Sequence, residues 1–131
     1  MVCCGLYGCP ERPLRQAQTL EKEGQYEKAG DMFLRAAKDS PGNLPAWDGA
    51  VRMFCEQEVR VGRCLEVLDL ELQVIGNLAR HRNVASQALN RRARARLDQG
   101  MVEAAAADLA RAEKLGPPLP EVLLTRARIA L

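Results

Sequence analysis

The chain has 131 residues, 47% of them hydrophobic and 27% charged, with a formal net charge of +2. That length suits one domain or one short repeat array, and so small a net charge excludes a global field of the kind that gathers nucleic acid. Aromatic residues make up only 4%, so leucine, valine and alanine must supply most of the core.

The apolar runs do not alternate with period two, which argues against strands and for an all-α chain. The most apolar region, Val61 to Ala79, is interrupted by Arg63, Glu66, Asp69 and Glu71, too many charges for a membrane-spanning helix. The N-terminus lacks the basic stretch and long apolar run of a secretory signal. The five cysteines are odd in number and form no Cys-x-x-Cys pair. They do not read as a disulfide framework, so a reducing, cytoplasmic setting is the expectation.

Residues 1–10 (MVCCGLYGCP) have no helical period and read as a loosely ordered, cysteine-rich leader. Glu11 to Glu23 forms the first predicted helix, with Pro13 tolerated in its first turn. Gly24 can adopt positive φ and end it. From Gln25 to Lys38, residues Tyr26, Ala29, Phe33, Ala36 and Ala37 recur at spacings of three and four, the helical period. Pro41 stops this second helix, and Gly42-Asn43 favours a turn.

The third predicted helix, Leu44 to Gln57, has Asn43 as a natural N-cap and Pro45 in its first turn. Trp47, Ala50, Val51 and Phe54 trace its inner face. The fourth, Val61 to Leu78, has an apolar set too broad for one stripe, as expected of a helix packed on two sides. Cys55 and Cys64 read as small buried apolar residues. A fifth helix starts near Asn83 and runs to about Gln99, with Leu89, Ala93 and Leu97 as its stripe. Arg80 to Arg96 carries six arginines and no acid. Gly100 then repeats the role of Gly24, and Val102, Ala105, Leu109 and Ala112 repeat Tyr26, Ala29, Phe33 and Ala36. Gly62 lies midway and reads as the third such turn. The last helix runs from Leu119 or Pro120 to Leu131, with Val122, Leu123, Ala127 and Ala130 expected to face inward. Leu124 and Leu131 on its far side suggest self-association or a continuing array.

Ala17, Leu20, Gly24, Tyr26, Ala29, Phe33, Ala36 and Pro41, with Trp47 opening the next unit, resemble a tetratricopeptide repeat, a helical hairpin of about 34 residues that stacks into a solenoid. The resemblance implies a right-handed α-α superhelix of about three hairpins plus a C-terminal capping helix. Its repeats would fall at about 11–43, 44–82 and 83–118, capped by 119–131, in a single domain over 11–131. It also implies partner binding, in a concave groove lined by the first helix of each pair. The residues expected there are Arg15, Gln18, Asp48, Arg52, Gln87, Asn90, Arg91 and Arg94. Arginine can bind a carboxylate through two parallel hydrogen bonds, so the expected partner is a protein with an acidic segment or a C-terminal carboxylate. Arg91 occupies a position like that of the carboxylate clamp in chaperone-binding members, while Leu14 and Gln18 depart from it. A blander reading pairs Arg91 to Arg96 with Glu66, Asp69 and Glu71.

Two other functions compete. One is RNA binding through Arg80 to Arg96, against which stand the scarcity of stacking aromatics and the low charge. The other is a thiol or metal module on Cys3, Cys4 and Cys9, which lacks a fourth nearby ligand for structural zinc. No phosphate-binding glycine loop is present. His81, the sole histidine, sits between Arg80 and Arg82 and reads as a solvated loop residue. No enzyme activity, cofactor or small-molecule substrate is expected.

Overall fold

The computed structural model describes residues 11–57 and 61–130. The described residues are helical, with no strand among them: α1 (Glu11–Lys22), α2 (Tyr26–Asp39), α3 (Leu44–Val51), a π-helical segment (Arg52–Gln57), α4 (Val61–Ile75), a 3-10 turn (Ala79–His81), α5 (Arg82–Asp98), α6 (Val102–Glu113) and α7 (Pro120–Ala130). The chain divides into two compact units, ending and beginning at Gly76 and Asn77. The expected middle repeat, 44–82, runs across that boundary. The leader at 1–10 lies outside the described residues.

In the first unit α1 and α2 form a hairpin, and α2 packs in turn on α3 and the π segment. The turn is set by Gly24 at φ 78°. Gln25 N–H donates to the Leu20 carbonyl at 2.9 Å and Gly24 N–H to that of Glu21 at 3.0 Å. These two bonds close the last turn of α1 on a left-handed glycine. Ala17, Ala29, Phe33, Ala36 and Ala37 are buried, as their spacing predicts. Trp47 is fully buried against Ala36, Ala37 and Ala46, flanked by Leu14, Leu34, Leu70 and Ile75. Its indole N–H donates to the Pro41 carbonyl at 2.9 Å, so the stop after α2 also satisfies the one polar atom of the largest core side chain.

The predicted third helix is two pieces. The α-helix gives way to π geometry at Arg52, and Met53, Phe54 and Cys55 are buried on the wider turn. The Phe54 ring fits over Gly30, where a Cβ would lie 2.6 Å from a ring carbon and 3.1 Å from Met53 Cβ. Reciprocally, the Phe33 ring of α2 fills the space over Gly49 of α3, leaving no room for a methyl group there. Two glycines on facing helices thus each receive the other element's phenylalanine.

Cys55 and Cys64 are buried, but they are not free apolar thiols: they form a disulfide between the π segment and α4. Gly62 does not repeat Gly24. It lies in the first turn of α4 without positive φ, and the glycine that follows α4 is Gly76 at φ 96°. The helix therefore ends at Ile75, short of Leu78.

The second unit opens with the 3-10 turn and α5. His81 is not solvated. It is 8% exposed, held at the junction of the turn and α5. α5 and α6 form a hairpin whose turn repeats that of the first unit: Gly100 at φ 79°, Met101 N–H to the Arg96 carbonyl at 2.7 Å, Gly100 N–H to that of Leu97 at 3.0 Å. Leu89, Ala93, Ala105, Leu109 and Ala112 are buried. Asp108 of α6, itself buried, accepts from Arg92 at 2.8 Å and from Arg96 at 2.9 Å. Those arginines pair with α6 within the second unit, and their stems cover the helix–helix seam. α7 packs on both α5 and α6. Its inner face is Val122 and Thr125. Leu123, expected inside, is 53% exposed, and Ala127 and Ala130 are exposed too.

Gly30→Ala should destabilise the chain by about 1–3 kcal/mol through overpacking against Phe54, although alanine is favoured over glycine in a helix by about 1 kcal/mol. Gly62→Ala, with nothing within 4 Å of the added methyl, should be neutral or stabilising. Urea unfolding of both variants checks the contrast.

Candidate functional site

The anticipated groove residues fall in both units, and each set is described within its own. In the first unit Arg15 and Gln18 are exposed on α1, while Asp48 on α3 and Arg52 at the head of the π segment are half-buried. Arg52 is held. Its Nε and Nη2 each donate to one Glu21 carboxylate oxygen at 2.7 Å, a bidentate pair across α1 and the π segment. The guanidinium also lies 5.6 Å from the centroid of the Phe33 ring. Arg15 borders a shallow apolar hollow with Gln16, Thr19, Leu20 and Met32, away from Arg52 in its lining.

In the second unit α5 carries Gln87, Asn90, Arg91 and Arg94. Gln87, Arg91 and Arg94 are exposed, whereas Asn90 is 4% exposed. Asn90 and Arg94, one helical turn apart, enter a cleft of about 280 Å³ whose other wall is Glu121, Leu124, Thr125 and Arg128 of α7. Gln87 and Arg91 stay outside that lining. The i, i+4 spacing puts Asn90 and Arg94 on one face of α5, and Glu121, Thr125 and Arg128 line one face of α7 for the same reason.

The polar atoms of this cleft are unequally satisfied. The Thr125 hydroxyl donates to the Glu121 carbonyl at 3.0 Å. Arg128 donates to Asp98 at 2.6 Å. Arg94 carries no ion pair among the described residues. Asn90 Oδ1 is buried and accepts no hydrogen bond among them. A buried acceptor left unpaired costs about 1–3 kcal/mol, and such groups in native proteins call for an explanation. The cleft therefore offers an acceptor on its inner wall, an unpaired guanidinium beside it, and an apolar rim at Leu124.

Sequence reasoning took α7 only as a cap and missed its half of the cleft. The signal was present in the polar face Glu121-Thr125-Arg128, but Leu123 drew the inward assignment and Leu124 was placed on the far side. No three His, Cys, Asp or Glu among the described residues could hold a metal ion. Cys3, Cys4 and Cys9 lie outside those residues. No helix of the described residues is long and apolar enough to cross a membrane. With Cys55 bonded to Cys64, the cysteines no longer argue for a reducing compartment. No family model matches the chain, and nothing among curated proteins or solved structures matches it.

The Arg52–Glu21 pair has a pH signature. Hydrogen bonds from Arg52 hold the Glu21 carboxyl below its ordinary value, and the same contact raises Arg52. A carboxylate whose folded pKa is depressed contributes stability that is complete above its unfolded value and is lost as pH falls through the folded one. Glu21→Gln should cost about 1 kcal/mol or less at pH 7, because both groups are partly exposed. The deficit should shrink as pH falls below the usual carboxylate range and through the depressed folded value. Urea melts of variant and wild type across that pH range measure it.

Proposed function

We propose that the chain is a non-enzymatic protein-interaction module related to tetratricopeptide repeats that holds a partner segment in the α5/α7 cleft. The two hairpins, α1/α2 and α5/α6, support the repeat reading. They share the same glycine turn, the same pair of closing hydrogen bonds and equivalent buried positions at Ala29 and Ala105, Phe33 and Leu109, Ala36 and Ala112. The observation that carries the binding reading is the unpaired, buried Asn90 Oδ1 in a cleft that also contains Arg94.

The chemistry of those atoms selects the ligand. Asn90 Oδ1 needs a donor, which the main-chain N–H of an extended peptide supplies. Arg94 needs an anion, which a nearby carboxylate supplies through a charge-assisted, bidentate contact. Leu124 gives an apolar side chain something to rest on. The partner is therefore a polypeptide with an acidic residue or chain terminus, not a small-molecule substrate. No membrane span or cofactor belongs to this reading. RNA binding through Arg80 to Arg96 is the weaker reading, because Arg92 and Arg96 are already committed to Asp108. The exposed Leu123 and Leu124 of α7 leave self-association available alongside partner binding.

A random library of acidic peptides with free carboxyl termini, passed over the immobilised chain, tests this. Wild type should retain a defined subset. Asn90→Leu, which removes an unpaired polar atom, should keep or raise thermal stability, while it and Arg94→Glu each lower peptide affinity at least about tenfold, the loss of about 1.4 kcal/mol. Retention unchanged in both variants would overturn the assignment of the cleft.

A further inference from the structure

Asn90, Arg94 and Leu124 have roles in peptide binding, but the acid of the α5/α7 cleft, Glu121, has none. The register of the two helices decides where that acid lies. Arg128 of α7 donates to Asp98 of α5 at 2.6 Å. Asn90 and Arg94 of α5 share the cleft with Glu121, Leu124 and Thr125 of α7. Both facts hold only if the helices run in the same direction. An antiparallel pair joined at Asp98 and Arg128 would carry Asn90 past the end of α7 at Ala130. Two turns back along each helix, Glu121 comes level with Asn90 and Arg91, and one turn back Leu124 comes level with Arg94. The acid therefore lies about 5 Å along the cleft from the level of Arg94, close to one helical turn.

The groups at that level are acceptors. Glu121 is exposed and makes no ion pair among the described residues. Arg128, on the same face of α7, is taken by Asp98 and does not neutralise it. The Thr125 hydroxyl spends its hydrogen on the Glu121 carbonyl and keeps only lone pairs to offer. Asn90 Oδ1 is buried and lacks a donor. A carboxylate and two neutral oxygens thus stand at one end of the cleft, and the Arg94 guanidinium stands one turn further on. An ammonium group brings three N–H donors, no acceptor and a compact positive charge, which is what the first end lacks. A carboxylate is what the second end lacks. Glu121 also lies in the first turn of α7, where an acid favours the helix dipole, but that contribution does not depend on what the ligand carries.

We propose that the α5/α7 cleft selects a mixed-charge segment, with an ammonium group held by Glu121 beside Asn90 and Thr125 and a carboxylate held by Arg94. This rests on the peptide-binding reading of the cleft and sharpens it: the donor that meets Asn90 Oδ1 is charged, and the acid of the partner has a base for a neighbour. Glu121 is then the residue that sets specificity. It rewards the accompanying cation and repels a segment that is acidic throughout, so discrimination comes from an unfavourable contact as well as a favourable one. A lysine side chain and a free chain N-terminus both supply the ammonium.

Matched sets of glutamate-containing hexapeptides with free carboxyl termini, passed over the immobilised full chain, test this. The sets carry lysine or Nε-acetyl-lysine, each with a free or an acetylated N-terminus. Wild type should retain peptides with a free ammonium at least about tenfold better than fully acetylated peptides of the same sequence. Loss on acetylating the lysine names the side chain as the source, and loss on acetylating the N-terminus names the chain end. Glu121→Gln should abolish the preference while Arg94 still retains the acidic peptides, and Glu121→Arg should reverse it. A role confined to the helix dipole would lower thermal stability in Glu121→Gln and leave the preference unchanged, which would overturn the assignment to Glu121. The wild-type comparison needs no substitution and decides the matter even where a variant fails to fold. Equal retention of free and acetylated peptides by wild type would overturn the inference and leave acid binding in the cleft standing. Retention of no peptide by wild type would overturn both.

Discussion

Helices can be held this close only where side chains are absent or nearly so. In the first unit that constraint is met by a reciprocal fit: the Phe54 ring over Gly30 and the Phe33 ring over Gly49. Each ring needs the glycine opposite, and each glycine would otherwise leave a void. A close-packed interior tolerates neither the void nor the clash. The fit explains how few aromatics suffice, since Phe33 and Phe54 are each used in a contact that fixes helix separation. It also gives the π segment a structural reason, because the wider turn carries Met53, Phe54 and Cys55 into the interior together. In the second unit alanines at 85, 88, 93, 105 and 112 take the place of the glycines, and the seam is closed by Asp108 between Arg92 and Arg96.

The proposed binding chemistry lies where the packing rule is left unfinished. Along most of α5 the buried positions are alanine, leucine or serine. Asn90 breaks the pattern by placing an acceptor among them without supplying a donor. Thr125, equally buried on α7, is satisfied by its own helix through the Glu121 carbonyl. The difference separates a polar residue paired within the fold from one left unpaired among the described residues. Arg94 and Arg52 differ in the same way. Arg52 is bound bidentately inside its own unit, whereas Arg94 stands beside the unpaired acceptor.

Local signals in the sequence were reliable. Gly24 and Gly100 are legible because a left-handed residue after an apolar period has few alternatives to ending a helix. The stripe Leu89-Ala93-Leu97 is legible in the same way, and Leu89 and Ala93 are buried. Signals that depend on a neighbour were not legible. The period of Met53-Phe54-Cys55 fits α and π winding alike, and an odd cysteine count hid the pairing of Cys55 with Cys64. Gly62 matched the repeat spacing, yet spacing alone does not require positive φ, and Gly76 took the terminating role. On α7, hydrophobicity ranked Leu123 above Thr125. Burial followed Thr125 because its hydroxyl was already paired with the helix backbone. His81 looked solvated between two arginines and is enclosed by the turn that precedes α5.

The reciprocal fit is tested most directly by a double-mutant cycle across Gly49 and Phe33, read as unfolding free energy. Gly49→Ala should be destabilising beside Phe33 and close to neutral beside Phe33→Leu, where the smaller side chain makes room. The coupling should be about 1 kcal/mol or more, as for residues in direct contact. Effects that simply add, within about 0.5 kcal/mol, would contradict the fit of ring to glycine on which this account of the fold stands.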